Sequence, residues 1–160
     1  MAEYVLNREL RIGAPIDEVF DFFADAGNLE RITPPQLNFH IITPRPIIIG
    51  KGALIDYRLN LHGLPMTWRT EISIWEPPNR FVDQQLSGPY KQWIHTHTFT
   101  ALGPAETLIG DEVRYRLPLE PLGDVAHFIV RGELDKIFDH RQKAVAELLR
   151  KPAQRMKNSF

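Results

Sequence analysis

The sequence predicts an α+β domain in which one strand and two short helices precede six antiparallel strands and a long C-terminal helix. Three observations carry this. Apolar spacing changes from two to three and four after Ile12, six segments rich in β-branched and aromatic residues follow, and the final third holds one helical apolar stripe. A chain of 160 residues, 43% hydrophobic and 24% charged, can bury one sizeable core.

Tyr4 to Ile12 places Tyr4, Leu6, Leu10 and Ile12 at even spacing, with Arg8 as the exception, and reads as an edge or half-buried strand. In "APIDEVFDFFADAGNLERITP" the period lengthens: Ile16, Val19, Phe20 and Phe23 recur at helical spacing. Pro15 suits the first turn there, and Gly27 suits the stop. A second short helix, Asn28 to Ile32, ends before Pro34 and Pro35, because a residue preceding proline avoids the helical region.

Strands are expected over Leu37–Thr43, Ala53–His62, Met66–Trp75, Arg80–Ser87, Gln92–Leu102 and Thr107–Leu119, punctuated by "PRPIIIGKG", "HGLP", "EPPN", "GPYK" and "GPAE". Connections this short imply an antiparallel meander, since a parallel neighbour needs a long crossover. The last helix is expected from about Leu122 to Arg150, stopped by Lys151-Pro152. Its stripe comprises Val130, Leu134, Ile137, Phe138, Val145, Leu148 and Leu149. His127, Arg131 and Arg141 project near that stripe and demand polar partners on the facing surface.

Charge excludes several functions. The net charge is −1, with 19 basic and 20 acidic residues interspersed, so neither a nucleic-acid footprint nor a polybasic membrane anchor is present. There is no cysteine, which removes disulfides, thiolate nucleophiles and thiolate metal sites. The start "MAEYVLNRELRI" lacks the pattern of a signal peptide, and "PIIIG" is too short to span a bilayer. The expectation is a cytoplasmic monomer or weak homodimer without stable membrane anchoring. No phosphate-cradling loop, dinucleotide fingerprint or nucleophile elbow occurs.

The chemistry-bearing stretch is "GPYKQWIHTHTF". Trp93, His95, His97 and Phe99 share one side of an extended chain. An H-x-H pair on a strand can bind a metal, move protons, contact a ligand or sit as satisfied polar core. A metal needs a third ligand, and Asp83 is the one candidate on an adjacent strand, so neither metal nor cofactor is expected. Asp83 joins the histidines only if opposed residues around Gly88-Pro89 sum to an even number; otherwise Val82, Gln84 and Leu86 do. Glu112, Arg114 and Arg116 read as a solvated outer face.

The element order, with "PPNRFVDQQLSGPYKQWIHTHTF" and "DEVRYRLPLEPLGDVAHFIVRGELDKIFDHRQ", resembles the START-like or Bet v 1-like superfamily, the polyketide cyclase and lipid-transport group, in its bacterial single-domain cyclase-like branch. The resemblance implies a helix-grip fold: a curved antiparallel sheet of about seven strands wraps the long helix and encloses a ligand cavity. One domain would span residues 1–152, with 153–160 a flexible tail. The expected ligand contacts are Trp93, His95, His97, Phe99, Tyr115, Tyr57, Trp68, Phe23, Arg131 and Phe138. The leading functional expectation is binding or transport of a lipid-like or polycyclic hydrophobic molecule, without turnover. The alternative is a cofactor-free cyclase/dehydratase acting on an aromatic or polyketide-like substrate. There His95, His97 and Asp83 would move protons, and Tyr115 or Arg131 would hold an enolate oxygen. A third possibility, a protein-interaction module, requires an exposed apolar patch.

Overall fold

The computed structural model describes residues 2–61, 63–118 and 122–149. Its elements are β1 (Tyr4–Ile12), α1 (Ile16–Ala24), α2 (Asn28–Ile32), a 3-10 turn (Pro35–Leu37), β2 (His40–Ile41), β3 (Leu54–Leu61), β4 (Leu64–Glu76), β5 (Arg80–Ser87), β6 (Gln92–Gly103), β7 (Glu106–Arg116) and α3 (Leu122–Leu148). The strands form one antiparallel seven-stranded sheet in the order β1-β7-β6-β5-β4-β3-β2. This is the helix-grip architecture that the resemblance implies. The strand expected over Leu37–Thr43 shrinks to two residues, because Leu37 closes the 3-10 turn and Asn38 adopts a left-handed conformation with φ 46°. The expected helix end near Arg150 and the expected tail at 153–160 lie outside the described residues.

The sheet curls because its ladder is interrupted. Ile72 pairs with Asp83 but Ile74 pairs with Val82, so one extra residue is inserted in β4, and a bulge of this kind bends and twists its strand. The insertion also resets the side-chain phase. Ile72 and Trp75 both face inward although they are three residues apart, and Trp75 meets Phe81 at 5.6 Å between ring centroids.

Two apolar clusters fill the concave face. One gathers Val19 and Phe20 of α1 with Ile72, Phe81, Phe99, Ile109 and Val145; the other gathers Leu59, Trp68, Trp93, Val113 and Tyr115 with Leu134 and Phe138. Along β6, Trp93 belongs to the second cluster and Phe99 to the first, which leaves His95 and His97 at the seam.

Polar partners meet each residue that interrupts the apolar patterns. Arg8, the exception in β1, donates to Asp135 of α3 at 2.5 Å. Arg131 donates to the carbonyl of Val5 at 2.9 Å, and Gln142 to that of Glu9 at 2.9 Å. His127 stacks on Tyr4 with centroids 3.7 Å apart. These contacts fix α3 against β1. On the first turns of α3, Val125, Phe128 and Ile129 are exposed.

Candidate functional site

A cavity of about 170 Å³ lies between the concave face and α3. Phe23 and Leu29 close one side, Tyr57, Leu59, Trp68 and Trp93 rise from the sheet, and Leu134, Ile137 and Phe138 descend from α3. Such a wall forms because alternate strand residues and every third or fourth helix residue are apolar and cannot face water on their inner side. The polar side chains of the lining include Asp83, His95, His97 and Arg141.

The register at the β5–β6 hairpin is even: Asp83 opposes His95 and Phe81 opposes His97. Asp83 therefore shares the histidines' face. On β7, His97 opposes Asp111 and His95 opposes Val113. The hydrogen bonds run along the diagonals. His97 Nε2 stands 2.6 Å from Asp83 Oδ2, and His95 Nε2 stands 2.7 Å from Asp111 Oδ1. The second ring nitrogens complete a ring of four groups: His95 Nδ1 lies 3.7 Å from Asp83, and His97 Nδ1 lies 3.4 Å from Asp111. The two imidazoles lie 3.8 Å apart between centroids, their planes tilted by 31°. Arg141 of α3 caps the ring, with Nη2 3.8 Å from Asp111 and 3.5 Å from His97 Nδ1, and its guanidinium rests against Phe23 and Phe138.

Burial gives these contacts their strength, since only Asp83 keeps as much as 20% of its side-chain surface accessible. Two carboxylates and one guanidinium leave the metal-free cluster one positive charge short of neutrality. One proton on the histidine pair supplies it. Burial disfavours the cation on both rings, but Asp111 and Asp83 outweigh burial at His97, whose pKa is raised. At His95 burial and the neighbouring His97 prevail, and its pKa is lowered. Burial would raise both carboxyls; instead Arg141 and the histidines hold Asp111 well below the ordinary 3.8, and the histidines with Arg141 bring Asp83 below it too. Of the two rings His97 is therefore the more readily protonated and His95 the less. Asp83, His95 and His97 also each present a metal-ligating atom, and the three atoms lie within 4.8 Å of one another.

Seven of the expected ligand contacts line the cavity: Phe23, Tyr57, Trp68, Trp93, His95, His97 and Phe138. Three do not. Phe99 is sealed beneath α1, packed at 5.4 Å on Phe20 and 5.3 Å on Phe23. Tyr115 is fully buried beside Tyr90 and Trp93, its hydroxyl 3.3 Å from His127 Nε2. Arg131 reaches outward to β1 and lies 3.4 Å from Asp135. Neither Tyr115 nor Arg131 is among the residues that line this cavity. Two residues of the cluster were not assigned to it from sequence. Asp111 shares the parity of Val113 and Tyr115, an inward carboxylate in an apolar register, and Arg141 stands three residues beyond Phe138 on the buried stripe.

A family model described as polyketide cyclase/dehydrase and lipid transport matches residues 12–140. A comparison with curated proteins finds no match. Among solved structures, the Zhui aromatase/cyclase from Streptomyces sp. R1128 is similar with a TM-score of 0.75 at 16% identity, over 99% of this chain and 98% of its own. TTHA0849 from Thermus thermophilus is similar with a TM-score of 0.73 at 17% identity, over 90% of this chain and 95% of its own. Norcoclaurine synthase from Thalictrum flavum, solved with dopamine and hydroxybenzaldehyde, has a TM-score of 0.64 at 19% identity, over 94% of this chain and 90% of its own. At such identities the likeness is one of fold. The family model spans most of the chain, from the end of β1 into α3, and so the chain belongs to the polyketide cyclase/dehydrase and lipid transport family, on a START/Bet v 1-like scaffold.

Proposed function

We propose that this protein binds a small, ring-containing hydrophobic molecule carrying a polar oxygen. The carrying observation is the cavity itself: an aromatic and aliphatic chamber whose acidic and basic side chains Asp83, His95, His97 and Arg141 are gathered in one cluster. Its volume of about 170 Å³ is close to that of an engineered core cavity of roughly 150 Å³ that takes up benzene. One ring fits without rearrangement. A long acyl chain or a polycycle exceeds this volume and would extend beyond it or widen the chamber. The one-ring compounds dopamine and hydroxybenzaldehyde, bound to the norcoclaurine synthase of the same fold, agree with this size class.

A second reading, catalysis of the cyclase/dehydratase kind, is favoured by a separate observation. Four ionisable side chains beside an apolar chamber cost desolvation that plain hydrophobic retention does not require. In this reading the cluster handles protons at the oxygen of the bound ring compound.

Titration of tryptophan emission with one-ring phenols, two-ring phenols and fatty acids tests the proposal, since Trp68 and Trp93 line the chamber. Saturable quenching by the ring compounds in the micromolar range supports it; no saturable response from any class defeats it. Incubating the best binder with the protein and analysing it for conversion separates retention from catalysis.

A further inference from the structure

The orientation of His95 and His97 poses a chemical problem that one proton solves only in part. Asp111 Oδ1 faces one nitrogen of each ring, Nε2 of His95 at 2.7 Å and Nδ1 of His97 at 3.4 Å. A carboxylate in that position accepts an N–H from each ring when His97 carries its proton on Nδ1, the tautomer in which Arg141 Nη2, 3.5 Å from that nitrogen, serves Asp111 instead. The remaining nitrogens, Nδ1 of His95 and Nε2 of His97, then turn their lone pairs toward Asp83 Oδ2, at 3.7 and 2.6 Å. Three electron-pair donors therefore converge on one point. A proton between His97 and Asp83 satisfies that pair, while His95 Nδ1 stands 3.7 Å from the same carboxylate oxygen.

We propose that Asp83, His95 and His97 form a divalent transition-metal site, with Asp111 behind both imidazoles as the group that orients them. Two imidazoles and one carboxylate on neighbouring strands are a donor set that suits zinc, iron, cobalt or nickel better than calcium or magnesium. Bonds of about 2.0–2.2 Å would place adjacent donor atoms about 3.0–3.4 Å apart. The observed separations of 2.6 and 3.7 Å from Asp83 bracket that range, and the three donor atoms lie within 4.8 Å of one another. The contacts of the rings with Asp111, a hydrogen bond from His95 at 2.7 Å and an approach by His97 Nδ1 to 3.4 Å, are of the outer-shell kind that metal-bound histidines need. Arg141 in turn compensates Asp111, so that carboxylate remains an acceptor.

Three protein ligands leave coordination positions open, as catalytic sites do and closed structural sites do not. All three ligands line the cavity, and the open face looks into it. Binding releases the proton shared by His97 and Asp83 to solvent and replaces it with the ion. Asp83, Asp111, Arg141 and a divalent ion then sum to one positive charge. An anionic oxygen on the open face, such as hydroxide, phenolate, enolate or carboxylate, restores neutrality. The metal site stands independently of the ligand-binding reading; the identity of the molecule meeting its open face rests on that reading.

The test uses the full chain, stripped with a chelator and titrated without any organic ligand, with Zn²⁺ by calorimetry and Co²⁺ by visible absorption. One ion per chain is expected to bind with a micromolar or tighter dissociation constant. Affinity should fall roughly 100-fold or more in His97→Ala and Asp83→Asn, and about 10–100-fold in Asp111→Asn, a residue that would touch no metal. His140→Gln, on α3 and outside the cluster, should bind as the wild type does. If a cluster variant fails to fold, the wild type decides alone: Cu²⁺ bound at one equivalent should show coupling to two imidazole nitrogens in electron paramagnetic resonance. No saturation by about 1 mM of either ion, undiminished binding in a folded His97→Ala variant, or a copper spectrum without two nitrogens overturns the site. Each of these results leaves the quenching by ring compounds untouched, so the two proposals fail separately.

Discussion

His97 and Asp83 are joined at 2.6 Å although the β5–β6 ladder sets His97 opposite Phe81 and Asp83 opposite His95. The bond is a diagonal one, within reach because inward side chains two residues out of register stand about 7–8 Å apart at their bases. His95 and Asp111 make the same diagonal on the other side of β6. Strand β6 thus sends its histidines to opposite neighbours, and each ring is held by a strand residue it does not directly oppose.

Removing one carboxylate should therefore be felt throughout the cluster. Asp111→Asn leaves Arg141 buried without a carboxylate and His95 without its 2.7 Å acceptor, and a stability loss of about 2–4 kcal/mol is expected. Urea unfolding monitored by circular dichroism measures it, with the loss appearing as a lower midpoint at unchanged slope. A loss under about 0.5 kcal/mol would show that the cluster is too hydrated for this account.

Acid should weaken the metal-free fold with a definite sign. Asp83 and Asp111 both titrate below the ordinary 3.8 when folded. Their contribution is fully present above the ordinary carboxylate value and lost as pH falls through the folded ones. His97, raised when folded, contributes below 6.5 and loses that contribution as pH rises through its folded value; His95, lowered when folded, acts in the opposite sense. The expected profile is shallow near neutrality and falls on the acid side of about pH 4. Unfolding free energies measured from pH 3 to 8 check this. In Asp111→Asn the acid slope should lessen by up to one proton, about 1.4 kcal/mol per pH unit.

Wall and core can be told apart by substitution. Trp68→Leu and Tyr57→Leu alter the cavity wall and should weaken a ring ligand by about 1–3 kcal/mol, as loss of aromatic contact surface requires. Tyr115→Phe removes the hydroxyl that meets His127 and Arg131, outside the wall, and should leave affinity within about 0.5 kcal/mol while costing roughly 1 kcal/mol of stability. Equal losses of affinity in all three variants would place Tyr115 in the binding surface after all.

Filling the chamber should exclude the ligand without unfolding the protein. Ala26 is 5% exposed and lines the cavity. Ala26→Phe directs a ring into the space, so probe binding should drop at least about tenfold, near 1.4 kcal/mol, while the thermal midpoint stays within a few degrees. Undiminished binding in this variant would move the ligand elsewhere.

The fold was largely legible because apolar periodicity and short turns leave few topologies for six consecutive strands. The Asp83 face followed from hairpin parity once the register was known, and the alternation of Val113 and Tyr115 already carried Asp111 with it. What alternation cannot encode is cover. Trp93 and Phe99 share one face of β6, yet α1 lies over Phe99 and empty space over Trp93. Inward orientation is local, whereas the division of an inner face into chamber and packed core depends on where helices land. Trp75 illustrates the other limit, since the inserted residue near Ser73 changes which parity points inward and leaves no periodic trace in the sequence.

Arg141 reaches the cluster from α3, whereas Asp83, His95, His97 and Asp111 are all carried by the sheet. Sliding or lifting the helix is one way to widen the chamber for anything larger than one ring. Admission by that route and charge are consequently one variable: a guest that displaces α3 withdraws a cation from Asp111 and leaves the pocket floor more negative. By reciprocity, anything that strengthens the positive charge on the floor without Arg141 makes the open arrangement easier to reach. If a bulky guest displaces α3, its binding and the grip of the floor on a cation should favour one another.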